Sequence, residues 1–231
     1  MAKAASEQPE EHSVSTTASR YLEAIFYMTA EGDDVRASRL AEWLGVAQPT
    51  VGAMLHRMVT EKMVAISAAK SVSLTKDGYQ FASRIVRRHR IAERWLTDVV
   101  GLDWLSADEE AAKLEHAFSD DVAERLHVLI GKPATCPHGN PIPPADGHPM
   151  PPRDERPLSS LEAGSRAVLR RVSEVAEHDT PELLRFLGDN QLFIGTEVET
   201  VNRSAGARTQ TVRVGKREVS MSLEVAGKIW I

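Results

Sequence analysis

The chain holds a single cysteine in 231 residues, Cys136. An intramolecular disulfide is therefore excluded, and the composition suits a reducing cytoplasm. There is no apolar run of about 18 residues or more, the length a membrane-spanning helix needs. A basic start followed by an apolar stretch is missing too, so no secretory leader is expected. Nor is there a phosphate-cradling glycine-rich loop, a G-x-S-x-G elbow or an H-E-x-x-H zinc helix. Cys136 and His138 sit in a proline-rich stretch without the third orienting group that a nucleophile pair requires. An enzyme is not expected. No internal repeat is visible.

Excess positive charge is lacking as well, since the formal net charge is −5. The charge is unevenly spread, however. Residues 16–100 carry 12 Lys/Arg against 9 Asp/Glu, a balance of +3, whereas residues 101–231 carry 15 against 21, a balance of −6. Affinity for phosphates depends on where the positive charge sits. The asymmetry permits a DNA-binding front half and an acidic regulatory back half.

What is present is a series of short patterned segments. Residues 1–15 are polar and without period, and read as a tail. A helix is expected from about Thr17, with Tyr21, Leu22, Ile25, Phe26 and Met28 forming a helical stripe. A short helix over 37–44 stops at Gly45, and a third opens at Gln48-Pro49-Thr50, where proline suits a first helical turn. Two strands, 63–67 and 71–75, flank a polar turn. Helix, short helix, turn, helix and hairpin is the pattern of a winged helix-turn-helix, or else of an unrelated small α+β unit.

A long helix is then expected from Asp77 to about Val100. Ser106 and Glu109 form a capping box that opens a further helix, running through Leu114, Phe118, Val122, Leu126 and Leu129 to Gly131. That long apolar row serves either an intramolecular core or a helix-pair dimer interface. Nine of the twelve prolines fall within 133–157, which predicts a stiff, extended segment. Beyond it, a strand over 166–172, a short helix near 180–187 and strands near 197–202, 209–214 and 218–223 indicate a small β-barrel.

The titratable residues are informative. His89 and Glu93 stand at i,i+4, on one helix face, and the next helix offers Asp108 and the adjacent pair Glu115-His116. Imidazole plus carboxylates suits borderline-to-hard divalent ions such as Fe, Mn, Co, Ni or Zn. The alternative is a set of surface ion pairs, with Arg88, Arg90 and Arg94 as partners. Spacing alone leaves both open.

Five motifs, in order, carry a resemblance. They are T-T-x-x-x-Y-L-x-x-I from Thr16, A-x-x-L-G-V-x-x-P-T-V from Ala41, R-R-H-R-I-A-E-R-W-L-T-D-V-V-G-L from Arg87, L-E-H-A-F-S-D-D-V from Leu114 and P-H-G-N-P-I-P from Pro137. From about Thr16 onward the chain resembles the diphtheria-toxin-repressor family of metal-dependent regulators. The resemblance implies a mainly α fold with small β, made of a winged helix-turn-helix, a helical dimerisation domain and a C-terminal SH3-like β-barrel. The corresponding division is a winged helix over 16–78, a dimerisation and metal-binding domain over 79–140, a linker over 141–157 and an SH3-like, FeoA-like domain over 158–231.

The same resemblance implies a cytoplasmic homodimeric repressor on a palindromic double-stranded DNA operator, without membrane association and responding to a divalent metal. Iron or manganese is the expected class, with Co, Ni or Zn accepted in vitro. His89, Glu93 and Asp108 fall on the family's ancillary ligands, Asp108 replacing the usual histidine, and Asp179 and Glu182 match the spacing of the two groups that reach back from the C-terminal domain. Glu115 and His116 fall on the primary site. Arg20 and Ala112 stand there in place of two further ligands, so that site is degenerate. Arg20 could put its permanent charge in the ion's place and pair with Glu115.

For DNA, Gln48, Pro49 and Thr50 match the front of the recognition helix, with Arg39, Arg57 and Lys70 placed for phosphates. Gly52 and Ala53 stand where larger side chains are common, so few direct base contacts are expected. Two other readings remain: the same architecture without metal dependence or with another ligand, and a metal-binding or scaffolding dimer that never contacts DNA.

Overall fold

The structure, a computed structural model, describes residues 15–231. The tail expected over 1–15 therefore lies outside the described residues, except Ser15. That residue caps the first helix, its Oγ accepting from the Ala18 N–H at 3.3 Å.

The N-terminal unit is a winged helix. Helix α1 (Thr16–Ala30) buries the stripe read from the sequence, with Leu22, Ile25 and Met28 inaccessible to solvent. Helices α2 (Ala37–Leu44) and α3 (Gln48–Thr60) follow, and Gly45 ends α2 in the left-handed region at φ 63°. Strands β1 (Val64–Ile66) and β2 (Val72–Leu74) form the hairpin, with Val64 opposite Leu74 and Ile66 opposite Val72. Leu40, Val51, Leu55, Met58, Val72 and Val86 share one core with α1. Each such fully buried side chain contributes about 1.5–3 kcal/mol.

Helix α4 (Lys76–Trp95) starts at Thr75, whose Oγ1 accepts from the Gly78 N–H at 3.1 Å. Its expected continuation to Val100 is a π-helical turn (Leu96–Val100) closed by Gly101 at φ 85°. The next helix departs from expectation. Helix α5 (Trp104–Leu114) is capped by Asp103, which accepts from both the N–H and the hydroxyl of Ser106, so Ser106 lies inside the helix. The run to Leu129 is also two helices. Ser119 caps a separate α6 (Asp120–Leu129), because its hydroxyl satisfies the Val122 N–H. Val99, Val100, Val122, Val128 and Leu129 remain exposed.

The proline-rich stretch is not a free spacer. Cys136, Pro137, His138, Gly139 and Asn140 are all buried. Asn140 donates to the Val172 carbonyl at 3.1 Å and the His138 carbonyl accepts from the Val172 N–H at 2.9 Å. Proline excludes helix from this stretch without preventing it from packing.

The C-terminal unit centres on an antiparallel sheet ordered β3 (Arg166–Val168), β5 (Glu197–Ser204), β6 (Thr209–Val214), β7 (Arg217–Ser222). The strand expected over 166–172 is broken, and β4 (Arg171–Val172) pairs instead with β8 (Ile229–Trp230). Two helices replace the one expected near 180–187: α7 (Glu174–Asp179), capped by Ser173, and α8 (Glu182–Asp189), entered through Pro181. A last turn, α9 (Leu223–Ala226), precedes β8. Leu169, Leu184, Leu187, Val198, Val212 and Ile229 make the core. Val175 of α7 leaves that core and is buried in the winged-helix core instead. No helix among the described residues is long and apolar enough to cross a membrane.

Gly139 is where the loop meets β4. A Cβ there would stand 2.0 Å from the Arg170 carbonyl oxygen, and φ is +85°. Gly52, midway along α3, has open space around it. Gly139→Ala is expected to lower stability by more than about 1 kcal/mol, whereas Gly52→Ala should raise it by roughly 0.5–1 kcal/mol through helix propensity. Urea unfolding midpoints moving in opposite directions check this. An unchanged midpoint for Gly139→Ala would show that the loop is not held on β4.

Candidate metal centre

Helical spacing builds the first cluster. His89 and Glu93 are one turn apart on α4, buried, with His89 Nε2 3.8 Å from Glu93 Oε1. Helix α5 packs back across α4 and brings Asp108 Oδ1 to 3.4 Å from the same nitrogen. The ion-pair alternative loses its partners here. Arg88 pairs with Asp120, Arg90 with Glu174 and Arg94 with Asp98, all directed elsewhere.

The second cluster comes from the proline-rich loop. A turn closed by the Gly139 N–H on the Cys136 carbonyl, at 3.0 Å, presents Cys136 and His138 on the same side as Glu93. The ligand atoms of these three lie within 4.8 Å of one another. His138 Nδ1 is 2.9 Å from Glu93 Oε1 and 3.4 Å from Glu177 Oε2 of α7. Both ring nitrogens of His138 and Glu177 Oε1 are nonetheless buried without a hydrogen bond of acceptable geometry. Glu93, Cys136 and His138 converge on one enclosed point, with Glu177 3.4 Å from the imidazole, and the unpaired buried atoms of His138 and Glu177 call for a further partner. A thiol, an imidazole and two carboxylates fit a divalent transition metal.

A third cluster stands toward α1. Glu23, Glu115 and His116 bring ligand atoms within 4.8 Å, with His116 Nε2 3.5 Å from Glu115 and 3.9 Å from Glu23. Glu23 Oε1 is also buried without a partner. These residues line a cavity of about 450 Å³ with Arg20, Trp43, Ala112 and His178. The clusters are linked. His89 Nδ1 lies 2.7 Å from Glu115 Oε2, and Glu93 belongs to both the first and the second.

Charge and burial oppose each other throughout. Burial works against a charged His138, but Glu177 and Glu93 outweigh it and hold the ring well above its ordinary pKa. His89 is raised in the same way by Glu93, Asp108 and Glu115. Burial would raise Glu93, yet His138 and His89 bring it below the usual carboxylate range. Glu177 is pushed up to about 8 by burial, only partly offset by His138. Glu23 reaches about 8 through burial and the neighbouring Glu115. The Cys136 thiol is pushed up to about 11 by burial and by Glu93. A divalent cation would reverse these pressures, since it favours deprotonated ligands.

The ligand set read from the sequence needs correcting at several positions. The structure brings His89, Glu93 and Asp108 together, and Glu115 with His116. It does not bring Asp179 or Glu182 to them: Asp179 pairs with Arg39 at 2.6 Å and Glu182 is exposed on α8. The helix that carries the reaching group is α7, unforeseen, and the group is Glu177. Arg20 lines the cavity beside Ala112 but is exposed and forms no ion pair among the described residues; His89, not Arg20, pairs with Glu115.

Glu23, Cys136, His138 and Glu177 join the clusters without a complete local signal in the sequence. Glu23 follows Arg20 by one helical turn, and Cys-x-His is a ligand spacing whose third member, Glu93, lies far off in sequence. Of the DNA-facing residues, Gln48, Pro49 and Thr50 are exposed at the front of α3, Arg57 pairs with Glu61 at 2.7 Å, and Lys70 is exposed at the hairpin turn. Arg39 is held by Asp179.

Three family models match the chain. They are the iron dependent repressor N-terminal DNA binding domain over residues 13–72, the iron dependent repressor metal binding and dimerisation domain over 75–144, and the FeoA domain over 156–231. The chain is 33% identical to the iron-dependent repressor IdeR of Mycobacterium tuberculosis, covering 91% of this chain and 94% of that protein. It is 32% identical to the diphtheria toxin repressor of Corynebacterium diphtheriae, covering 81% and 85%. Among solved structures, a manganese-dependent transcriptional repressor in complex with manganese superposes with a TM-score of 0.81 at 30% identity, over 92% of this chain and 98% of that one. An IdeR from T. acidophilum gives 0.76 at 27% identity, over 95% and 98%. With its front, middle and C-terminal segments each matched in order, and with relatives of this identity aligned over most of its length, the chain belongs to the diphtheria-toxin-repressor family.

Proposed function

We propose that this protein is a metal-responsive, homodimeric transcriptional repressor that reads a palindromic operator through α3. One observation carries the reading: beside the convergent Glu93, Cys136 and His138, the His138 ring and Glu177 Oε1 are buried and unpaired where α4, the proline-rich loop and α7 meet. The relatives respond to iron or manganese, and iron or manganese is the proposed ion class. The softer thiol-containing cluster suits Fe, Co or Zn, and the carboxylate-rich Glu23–Glu115–His116 cluster suits Mn or Fe. His89, Glu93 and Asp108 form the bridge between them.

A bound ion supplies the positive charge that lets these carboxylates share one buried space. The residues do the rest. Glu177 holds α7 to the loop, Glu93 holds the loop to α4, and Glu115 with Glu23 holds α5 to α1. Exposed Val99, Val100, Val122, Val128 and Leu129 give each subunit an apolar surface for its partner. Two subunits then present two copies of α3, with Gln48 and Thr50 toward base edges and Arg57 and Lys70 toward phosphates.

The test is operator binding by the chelated protein, repeated after adding Mn(II), Fe(II), Co(II) or Zn(II). Affinity for palindromic DNA should rise at least about tenfold with metal, and fall again with salt as phosphate contacts require. Equal binding with and without chelator would remove the metal-responsive reading.

Two further outcomes concern the sites. Co(II) added to the wild type should give a near-ultraviolet thiolate-to-metal absorption band that is lost in Cys136→Ser; a band that persists in the variant would place the ion elsewhere. In the third cluster, Arg20→Met with Ala112→Cys restores two ligand-type side chains and removes a fixed positive charge. The double variant should bind one more tightly held ion per subunit by equilibrium dialysis. A stoichiometry equal to that of wild type would mean that these two positions do not limit the site.

A further inference from the structure

Helix α7 contacts three parts of the molecule within six residues. Glu174 accepts a bidentate pair from the fully buried Arg90 of α4, at 2.8 and 2.6 Å. Val175 is buried in the winged-helix core. Glu177 reaches the second ligand cluster. The next two residues then leave the centre for the helix-turn-helix. The His178 ring lies flat on the indole of Trp43, with centroids 3.7 Å apart and planes 6° from parallel. Asp179 accepts from Arg39 Nη2 at 2.6 Å.

Trp43 and Arg39 are one turn apart on α2, so α2 offers one face to two consecutive residues of α7. The Arg39 guanidinium itself lies over the Trp43 ring, 5.7 Å from its centroid. Helix α2 packs on α3, the helix that carries Gln48, Pro49 and Thr50. The distance in sequence from a candidate ligand to the contact that orients the DNA-reading pair is a single residue.

We infer that His178 and Asp179 are positioning residues, which pass the state of the Glu177 cluster to α2 and through it to α3. The inference rests on the proposed metal reading and adds the route by which that reading acts. With Glu177 drawn to the cluster, α7 is fixed in register, and the stack and the ion pair clamp α2 at two points one helical turn apart. With Glu177 released, α7 keeps the Arg90–Glu174 pair and its buried Val175 and Ala176 but loses its tie to the cluster. Glu31 belongs to the same joint: it accepts from Ser173 Oγ at 2.6 Å and lies 3.7 Å from Arg171, which ties the end of α1 to the entrance of α7. Arg39, matched to a phosphate contact by its position, is also the residue Asp179 holds, so its reach toward DNA depends on how α7 is set.

The test compares full-length wild type with His178→Ala/Asp179→Asn and with His178→Phe, which keeps a flat ring for Trp43. Mn(II) or Co(II) affinity is measured without DNA, and operator affinity is measured with and without the ion. The double variant should bind the ion within about twofold of wild type, yet its metal-induced gain in operator affinity should fall by tenfold or more. His178→Phe should retain most of the gain. A merely structural loss would lower ion binding and thermal stability together and would not be restored by phenylalanine, and that pattern counts against the proposal. A wild type whose operator affinity ignores the ion overturns the metal reading, and this proposal with it. A responsive wild type beside an equally responsive double variant overturns the positioning role alone.

Discussion

Glu93 is enclosed by protein on every side, and an isolated carboxylate in such a place would be neutralised. It stays charged because two imidazoles face it, His138 at 2.9 Å from the loop and His89 at 3.8 Å from its own helix. The rest of the molecule is arranged around that constraint. Asp108 within α5 and Glu115 at its end face His89, and Glu177 of α7 faces His138. Removing one member of such a buried network costs about 3–5 kcal/mol, because it leaves an uncompensated charge rather than a mere gap. A network of this kind holds α4, α5, the 136–140 loop and α7 in one relative position.

The proposed control of DNA binding has a physical route through these contacts. The recognition helix α3 has no candidate metal ligand of its own. Its position follows from α1 and α2, and both are gripped from behind: α1 through Glu23 beside Glu115 and through Glu31 on Ser173, α2 through Trp43 and Arg39 on α7. Burial pushes Glu177 and Glu23 each up to about 8, with Glu115 adding to the rise at Glu23. Candidate ligands and contacts between helices therefore involve neighbouring side chains.

Legibility in the sequence followed distance along the chain. The stripe of α1, the stop at Gly45, Pro49 in the first turn of α3 and the i,i+4 pair His89–Glu93 were all readable, because each depends on residues within one or two turns. Ser106 was taken for a cap on a correct local rule, but Asp103, three residues earlier, satisfies the same helix start and accepts from Ser106 itself. The resemblance implies a reach from the C-terminal unit by Asp179 and Glu182, on the spacing of the two groups. Ser173 instead caps an earlier helix, α7, which turns Glu177 toward His138, while Asp179 at its end pairs with Arg39 and Glu182 is exposed beyond Pro181.

Cys136 and His138 show the limit most clearly. In sequence they are two reactive side chains without a third partner; in the fold Glu93, 43 residues before Cys136 by numbering, completes the set. By itself the sequence determined the winged-helix pattern, the helix that carries His89 and Glu93, and the family. All of these rest on local periodicity or on motifs read in order. Only the tertiary structure decided which ligands share a point, that the proline-rich loop is buried, and that α7 grips α2. Those depend on how separate elements pack, and packing is set by the shape and charge of surfaces that the linear chain never places side by side.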